Sequence, residues 1–129
     1  MSAGNNSWIN TQRLVEVANA DGEFLLQARL WNARINVACD ADAFALTIVQ
    51  GRITHAAAGT QDAEVRISGS RAGWDEMLKP IPKPFFHDLR AAAAHHGFTL
   101  AGDVLHTAAY FPAIRRLIEL MREIRNANQ

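Results

Sequence analysis

Phe98-Thr99-Leu100-Ala101-Gly102-Asp103, followed six residues later by Tyr110-Phe111-Pro112-Ala113-Ile114-Arg115-Arg116-Leu117-Ile118-Glu119-Leu120-Met121, is the stretch on which the fold turns. Phe98 and Leu100 alternate with Thr99 and Ala101, which reads as a short extended segment closing at Gly102-Asp103. Downstream, Tyr110, Ile114, Leu117, Met121 and Ile124 fall along one helical stripe, widened by Phe111, Ile118 and Leu120. Pro112 belongs either to the first turn of that helix or to a kink in it. Asp103 is placed to cap the helix that follows it. Working backwards, His87 or Asp88 to His96 reads as a helix ended by Gly97. Residues 79–84 hold three prolines and must be extended or turned. Ser70 to Lys79 reads as a short helix stopped by Pro80, with Trp74, Met77 and Leu78 on its apolar side.

The first half of the chain has a different rhythm. Ser7 is a candidate N-cap for a helix from Trp8 to about Ala20, with Leu14, Val17 and Ala18 on one face. Asp21-Gly22 is expected to end it, Gly22 taking the left-handed position. Five runs then alternate with period two: Phe24, Leu26, Ala28 and Leu30; Ile35, Val37 and Cys39; Phe44, Leu46 and Ile48; Ile53, His55 and Ala57; Ala63, Val65 and Ile67. Such alternation marks half-buried strands, and five of them joined by short polar turns predict an antiparallel meander. The fold class is therefore α+β, an antiparallel sheet of about five strands covered by helices. The interface between sheet and helices is either a solid core or a cavity, and the function depends on which.

Composition narrows the classes. At 129 residues the chain suits a single domain spanning 1–129, with no internal repeat or low-complexity tract. Thirteen Lys plus Arg balance thirteen Asp plus Glu, so there is no basic field to drive nucleic-acid binding. No apolar run approaches the roughly 20 residues that span a bilayer. The opening residues lack both the charged and the apolar parts of an export signal, and Cys39 is the only cysteine. The expectation is a cytoplasmic protein of bacterial type.

The order of elements resembles sterol-carrier-protein-2-like domains: a first helix, a five-stranded region, then several helices. In that family the segment before the last helix leads to Gly-Asp, and here it reads His96-Gly97-Phe98-Thr99-Leu100-Ala101-Gly102-Asp103. The apolar alternation and the Gly-Asp match; the family's lysines do not. The proline-rich approach to Phe86-His87-Asp88-Leu89 looks like that of small bacterial members. The resemblance implies an apolar cavity between sheet and C-terminal helices that takes up a fatty acid, a sterol-like molecule or a terpenoid. The missing lysines count against acyl-CoA and phosphate-bearing ligands.

Trp74, Leu78, Phe86, Tyr110, Phe111 and Leu117 are the candidate ligand-binding residues, because they stand on the helices expected to cover the sheet. Tyr110 is the candidate polar anchor, since a buried phenol needs a partner. No phosphate-binding loop, catalytic triad order or metal-ligand spacing is present, so neither a cofactor, a metal nor a catalytic residue is expected. His95 and His96 are adjacent and diverge on a helix. Cys39 reads as a small core hydrophobe. Arg115-Arg116 and Arg122 with Arg125 read as a solvated helix face balanced by Glu119 and Glu123, giving at most weak contact with a membrane surface. Two alternatives stay open. One is a small enzyme with His55, Tyr110 or Asp103 in a titrating role, although cone-shaped folds of that kind end on strands and this chain ends on a helix. The other is an accessory domain that delivers substrate to a partner enzyme through residues 79–84. The broad apolar face of the last helix also permits a homodimer.

Overall fold

Alternation of apolar and polar residues builds most of the sheet. The computed structural model describes residues 8–86 and 88–127. Its strands are β1 (Ala33–Cys39), β2 (Asp42–Val49), β3 (Arg52–Ala58), β4 (Val65–Gly69) and β5 (Thr99–Gly102), and its helices are α1 (Thr11–Ala20), α2 (Gly22–Ala28), α3 (Arg71–Met77), α4 (Leu89–His95), α5 (Val104–Ala109) and α6 (Phe111–Asn126). Ile35, Val37 and Cys39 of β1 and Phe44, Leu46 and Ile48 of β2 are buried, as period two requires for a sheet with one covered face. This is an α+β arrangement with a mostly antiparallel five-stranded sheet.

Two expectations are corrected. Residues 22–28 form helix α2, not a strand. Asp21 caps it, its carboxylate accepting from the Phe24 N–H at 2.7 Å, and Gly22 opens this helix instead of closing the previous one. Phe24 and Ala28, four residues apart, are buried, whereas Leu26 and Leu30 are 56% and 71% exposed. The run is rich in Leu, Gln and Ala, which suit a helix better than the β-branched residues of a strand would. The fifth strand is instead β5, the segment that carries Leu100.

The sheet is also not a meander. Its order is β3-β2-β1-β4-β5, and β4 pairs with β1 in parallel. The chain must therefore cross from the β3 edge to the far side of β1 through residues 59–64. Buried Asn36 pins that crossing: its amide donates to the Gln61 carbonyl at 2.7 Å and accepts from the Gln61 N–H at 3.2 Å. Both halves of the amide are thereby satisfied on the face of β1 that the helices do not cover.

The remaining elements follow their local signals. Asn10 caps α1, so that helix begins at Thr11 and not at Trp8; Ser7 lies outside the described residues. Ser70, Asp88 and Asp103 cap α3, α4 and α5. His87, the other candidate start for α4, also lies outside the described residues. Pro112 occupies the first turn of α6, where its missing N–H costs nothing. Ile114, Leu117 and Met121 of the expected stripe are buried, together with Phe111, Ile118 and Leu120.

Candidate functional site

The sheet–helix interface is built around four rings. Trp8 lies 5.0 Å from Trp74 and 5.7 Å from Phe44, and Phe98 meets Trp74 edge-on at 5.0 Å. The Trp74 indole donates to the Ala38 carbonyl at 2.9 Å, fixing α3 to β1. Phe98 reaches this cluster because Gly69 and Gly73 leave room: a Cβ on either would stand 2.5 or 2.9 Å from its ring. The Trp8 indole N–H has no acceptor among the described residues, although the ring is buried. A buried donor without a partner costs about 1–3 kcal/mol, so this N–H is available to an oxygen brought into the interface.

The six candidate residues all form part of the hydrophobic core of the chain or pack against it, and Trp74 alone of them is one of these four rings. Trp74, Leu78, Phe111 and Leu117 are buried within it, and Phe86 and Tyr110 flank it, half-buried. Their immediate partners differ. The Phe86 ring stacks on His96 at 3.8 Å, Tyr110 stacks on Trp31 at 4.6 Å, and the Arg90 guanidinium lies 4.2 Å above the Phe111 ring. The Tyr110 hydroxyl makes no hydrogen bond among the described residues. Reasoning from sequence missed Trp8, Phe44 and Phe98 as the heart of the cluster. Phe98 carried a readable signal, since it follows Gly97 and begins the alternation that ends at Gly102.

Where α5 meets α6 a second constellation forms. The buried Trp31 indole donates to His106 Nδ1 at 3.0 Å. That bond needs a lone pair on Nδ1, so the ring proton sits on Nε2. His106 is further tied by its own N–H, which donates to the Asp103 carboxylate at 3.0 Å. The backbone just before α5 closes against β4: Asp103 N–H donates to the Glu64 carbonyl at 2.7 Å, and Gly102, at φ +122, lies where any side chain would strike that carbonyl.

The arginines of α6 are not the solvated face expected. Arg116 Nε and Nη2 donate to the two Asp21 oxygens at 3.0 and 2.8 Å. Arg122 donates twice to the Met77 carbonyl, at 3.0 and 2.8 Å, and Arg125 donates to the Trp8 carbonyl at 2.9 Å and to Asp75 at 3.1 Å. The hydrogen bond from Arg116 holds the Asp21 carboxyl below its ordinary range and in turn raises the guanidinium. Burial lowers Arg122. Arg115 alone of the four is exposed and without an ion pair among the described residues.

The residues of the enzyme alternative are not gathered. His55 is exposed on β3, one edge of the sheet, with Nδ1 3.0 Å from the Thr54 hydroxyl. Asp103 and Tyr110 flank α5, which packs against β5 at the opposite edge. His95 and His96 diverge, stacking on Phe85 and Phe86, and no three His, Cys, Asp or Glu side chains group as a metal site among the described residues. Cys39 is buried and unpaired, and burial pushes its thiol up.

Hollows lined by described residues include two away from the candidate residues. One of about 580 Å³ lies between α1 and the end of α6, by Asn10, Arg13, Val17, Glu123, Ile124 and Ala127. Another of about 290 Å³ lies by β1 and β2, at Asn32, Ala33, Arg34, Thr47 and Ile48 with Asp62 and Glu64. Neither contains a candidate residue, and Trp74, Leu78 and Leu117 are buried.

Neither a family model nor a curated protein sequence matches the chain. Solved structures do. A crystal structure of sterol carrier protein 2 superposes with a TM-score of 0.74 at 21% identity, over 95% of this chain and 99% of that one. The chain has the sterol-carrier-protein-2 fold. A Thermus thermophilus protein described as possibly a sterol carrier gives 0.67 at 20% identity over 96% of this chain and 90% of its own. The UbiJ-SCP2 ubiquinone synthesis protein gives 0.56 at 12% identity, over 85% and 90%. Among the described residues no helix is long and apolar enough to cross a membrane.

Proposed function

We propose that this chain, acting as one binding domain over residues 1–129, binds a lipid or other small apolar molecule between its sheet and its C-terminal helices. A fatty acid, a sterol-like molecule or a terpenoid is the expected class, and Trp74, Leu78, Phe86, Tyr110, Phe111 and Leu117 are the expected lining. The observation that carries the proposal is the sterol-carrier-protein-2 fold, shared with a sterol carrier protein along nearly the whole chain, in which these six residues form part of the hydrophobic core or pack against it. Two of the similar proteins bear names tied to sterol or to ubiquinone, both large and apolar.

Trp74, Leu78 and Leu117 are buried, so a ligand reaches them by parting elements. The middle and end of α6 are bound by the Arg116, Arg122 and Arg125 contacts. The start of α6 and α5 are held by ring stacking and the Trp31–His106 bond, so parting begins there. Burial of each ligand methylene contributes about 0.8 kcal/mol, which offsets the disturbed packing once roughly ten are covered. The Trp8 N–H and the Tyr110 hydroxyl are the donors offered to a polar end. A partner enzyme supplied through the exposed residues 79–84, and a cytoplasmic location, are parts of the same reading.

Native mass spectrometry of the purified protein, with organic extraction of anything bound, tests it. A co-purifying lipid, or uptake of a fluorescent fatty acid, is the expected result. Phe111→Asp and Tyr110→Ala should each weaken uptake about tenfold or more, by charging or removing the lining, while Arg66→Ala on exposed β4 leaves it unchanged. An empty protein that takes up no probe makes the interface plain core.

A further inference from the structure

Three tryptophans stand in this chain, and two of them spend their indole N–H inside it. Trp74 donates to the Ala38 carbonyl at 2.9 Å and Trp31 to His106 Nδ1 at 3.0 Å. The Trp8 indole donates to nothing, and its Nε1 is the only buried side-chain nitrogen or oxygen without a partner among the described residues. The residue is 2% exposed, with its ring against Trp74 and Phe44. Its main chain is fixed as well, because Arg125 donates to the Trp8 carbonyl at 2.9 and 3.3 Å. The indole is thus held in place at a cost that a phenylalanine there would not carry. A trapped water suits the N–H poorly, since it needs roughly two to four polar partners and the ring packs against aromatic neighbours.

We infer that Trp8 is a ligand-binding residue and that its ligand is an apolar molecule carrying a neutral carbonyl, such as an ester, a ketone or a quinone. This rests on the lipid-binding reading above. Trp74, one of the expected lining residues, packs on Trp8, so a ligand lodged against Trp74 lies beside the ring that carries the unpaired N–H.

The surroundings of Trp8 select the carbonyl. An indole N–H only donates, so the ligand must bring an acceptor. An ionised carboxylate does not suit this depth. Among the described residues the buried polar ones are Thr11 and Asn36, both uncharged, so no buried cation balances it. Arg122 and Arg125 are turned to the Met77 and Trp8 carbonyls. A hydroxyl can accept, but its own proton then needs an acceptor in the same apolar surroundings. A carbonyl has no proton to place. A fatty acid binds the other way round, its carboxylate toward half-buried Tyr110 and its methyl end inward, and leaves the Trp8 N–H unpaired.

Titration of the nitrogen-15-labelled protein with methyl oleate, oleate and octadecene, followed at the indole N–H resonances, tests the pairing. The Trp8→Phe spectrum identifies the Trp8 signal. The expected result is a downfield shift of the Trp8 indole proton with methyl oleate. Octadecene should not produce it, nor should oleate at about pH 8, where the acid is ionised. Wild type should hold methyl oleate about tenfold tighter than octadecene, and Trp8→Phe, which keeps a ring and loses the donor, should hold the two about equally. Equal shifts with methyl oleate and octadecene overturn the pairing and leave lipid binding standing. An unchanged preference for the ester in Trp8→Phe does the same, because the carbonyl is then held elsewhere. A shift with oleate equal to that with methyl oleate overturns the choice of a neutral ligand. If Trp8→Phe does not fold, the wild-type shifts decide alone. Failure to bind any of the three probes removes the lipid-binding reading and the pairing with it.

Discussion

The two ends of the C-terminal helical segment are held by different chemistry. From Arg116 onward, α6 is tied by charge-assisted bonds to three distant parts of the chain: the Asp21 carboxylate, the Met77 carbonyl and the Trp8 carbonyl. Before Arg116 there is a Trp31–Tyr110 stack, an Arg90–Phe111 contact, one imidazole accepting one indole N–H, and a helix whose apolar face meets water. Charge-assisted bonds to partly buried groups are about twice as strong as neutral ones. On the proposed reading the contrast divides the interface into a fixed end and a releasable end, with stability and opening assigned to different residues of one continuous segment.

The largest effects should come from breaking the fixed end. Arg116→Ala leaves the mostly buried Asp21 carboxylate without its guanidinium and should lower stability by about 2–3 kcal/mol in thermal denaturation. Asp21→Asn should cost somewhat less, because the amide still caps α2. In the double variant the losses should fall short of their sum, since both remove one interaction. Equal, additive losses would show that the pair is incidental. Acid should act at the same place with a defined sign. The Asp21 carboxyl is held below its ordinary range by Arg116, so its contribution is fully present above the unfolded carboxylate range and is lost as pH falls through the lower folded value. Wild type should therefore lose more stability than Asp21→Asn when melting curves are taken from about pH 5 down to about pH 2.

That the fixed end exists could not be read from local sequence. The spacing of Arg116, Glu119 and Glu123 does give a helix-surface cluster, and Arg116 does contact both acids. But Arg122 and Arg125 find carbonyls 45 and 117 residues away, and no periodicity encodes a pairing of that separation. The same limit governs the sheet. Strand existence was legible in β1 to β4 from alternation, whereas no local pattern marks the parallel β1–β4 pairing, whose crossing the Asn36 amide ties at Gln61. Residues 24–31 alternate as a strand would, yet Phe24 and Ala28 also stand one helical turn apart, and the Asp21 cap decides between them. The helix start at Ser70, the cap at Asp103, the stripe on α6 and the sterol-carrier-like order of elements were readable because each is set by neighbours in sequence. Of the candidate site, residue type and helix face could be read. Which ring meets which could not, because Trp8 with Trp74 and Trp31 with Tyr110 meet only after the sheet has ordered the chain.

The smaller predictions probe the releasable end. His106→Ala removes the acceptor of the buried Trp31 N–H and should cost about 1–2 kcal/mol, less than Arg116→Ala. The location of the effect matters more than its size. Amide exchange should quicken across residues 104–111 and stay unchanged through the later turns of α6, because only the first region depends on the lost bond. His106→Asn, whose side-chain oxygen could accept from the indole, should restore part of the protection. Uniform quickening through α6 would mean that the segment opens as one unit, and the division into a fixed and a releasable end would fall. The smallest effect belongs to Leu105→Ser. Its side chain is 78% exposed and holds nothing in the folded chain, so stability should stay within about 0.5 kcal/mol and exchange should be unaltered. A larger loss would place Leu105 among the contacts that keep this end closed. The absence of one leaves the apolar face of α5 without a structural role inside the chain, so that the hold on this end rests on His106 and Tyr110 alone.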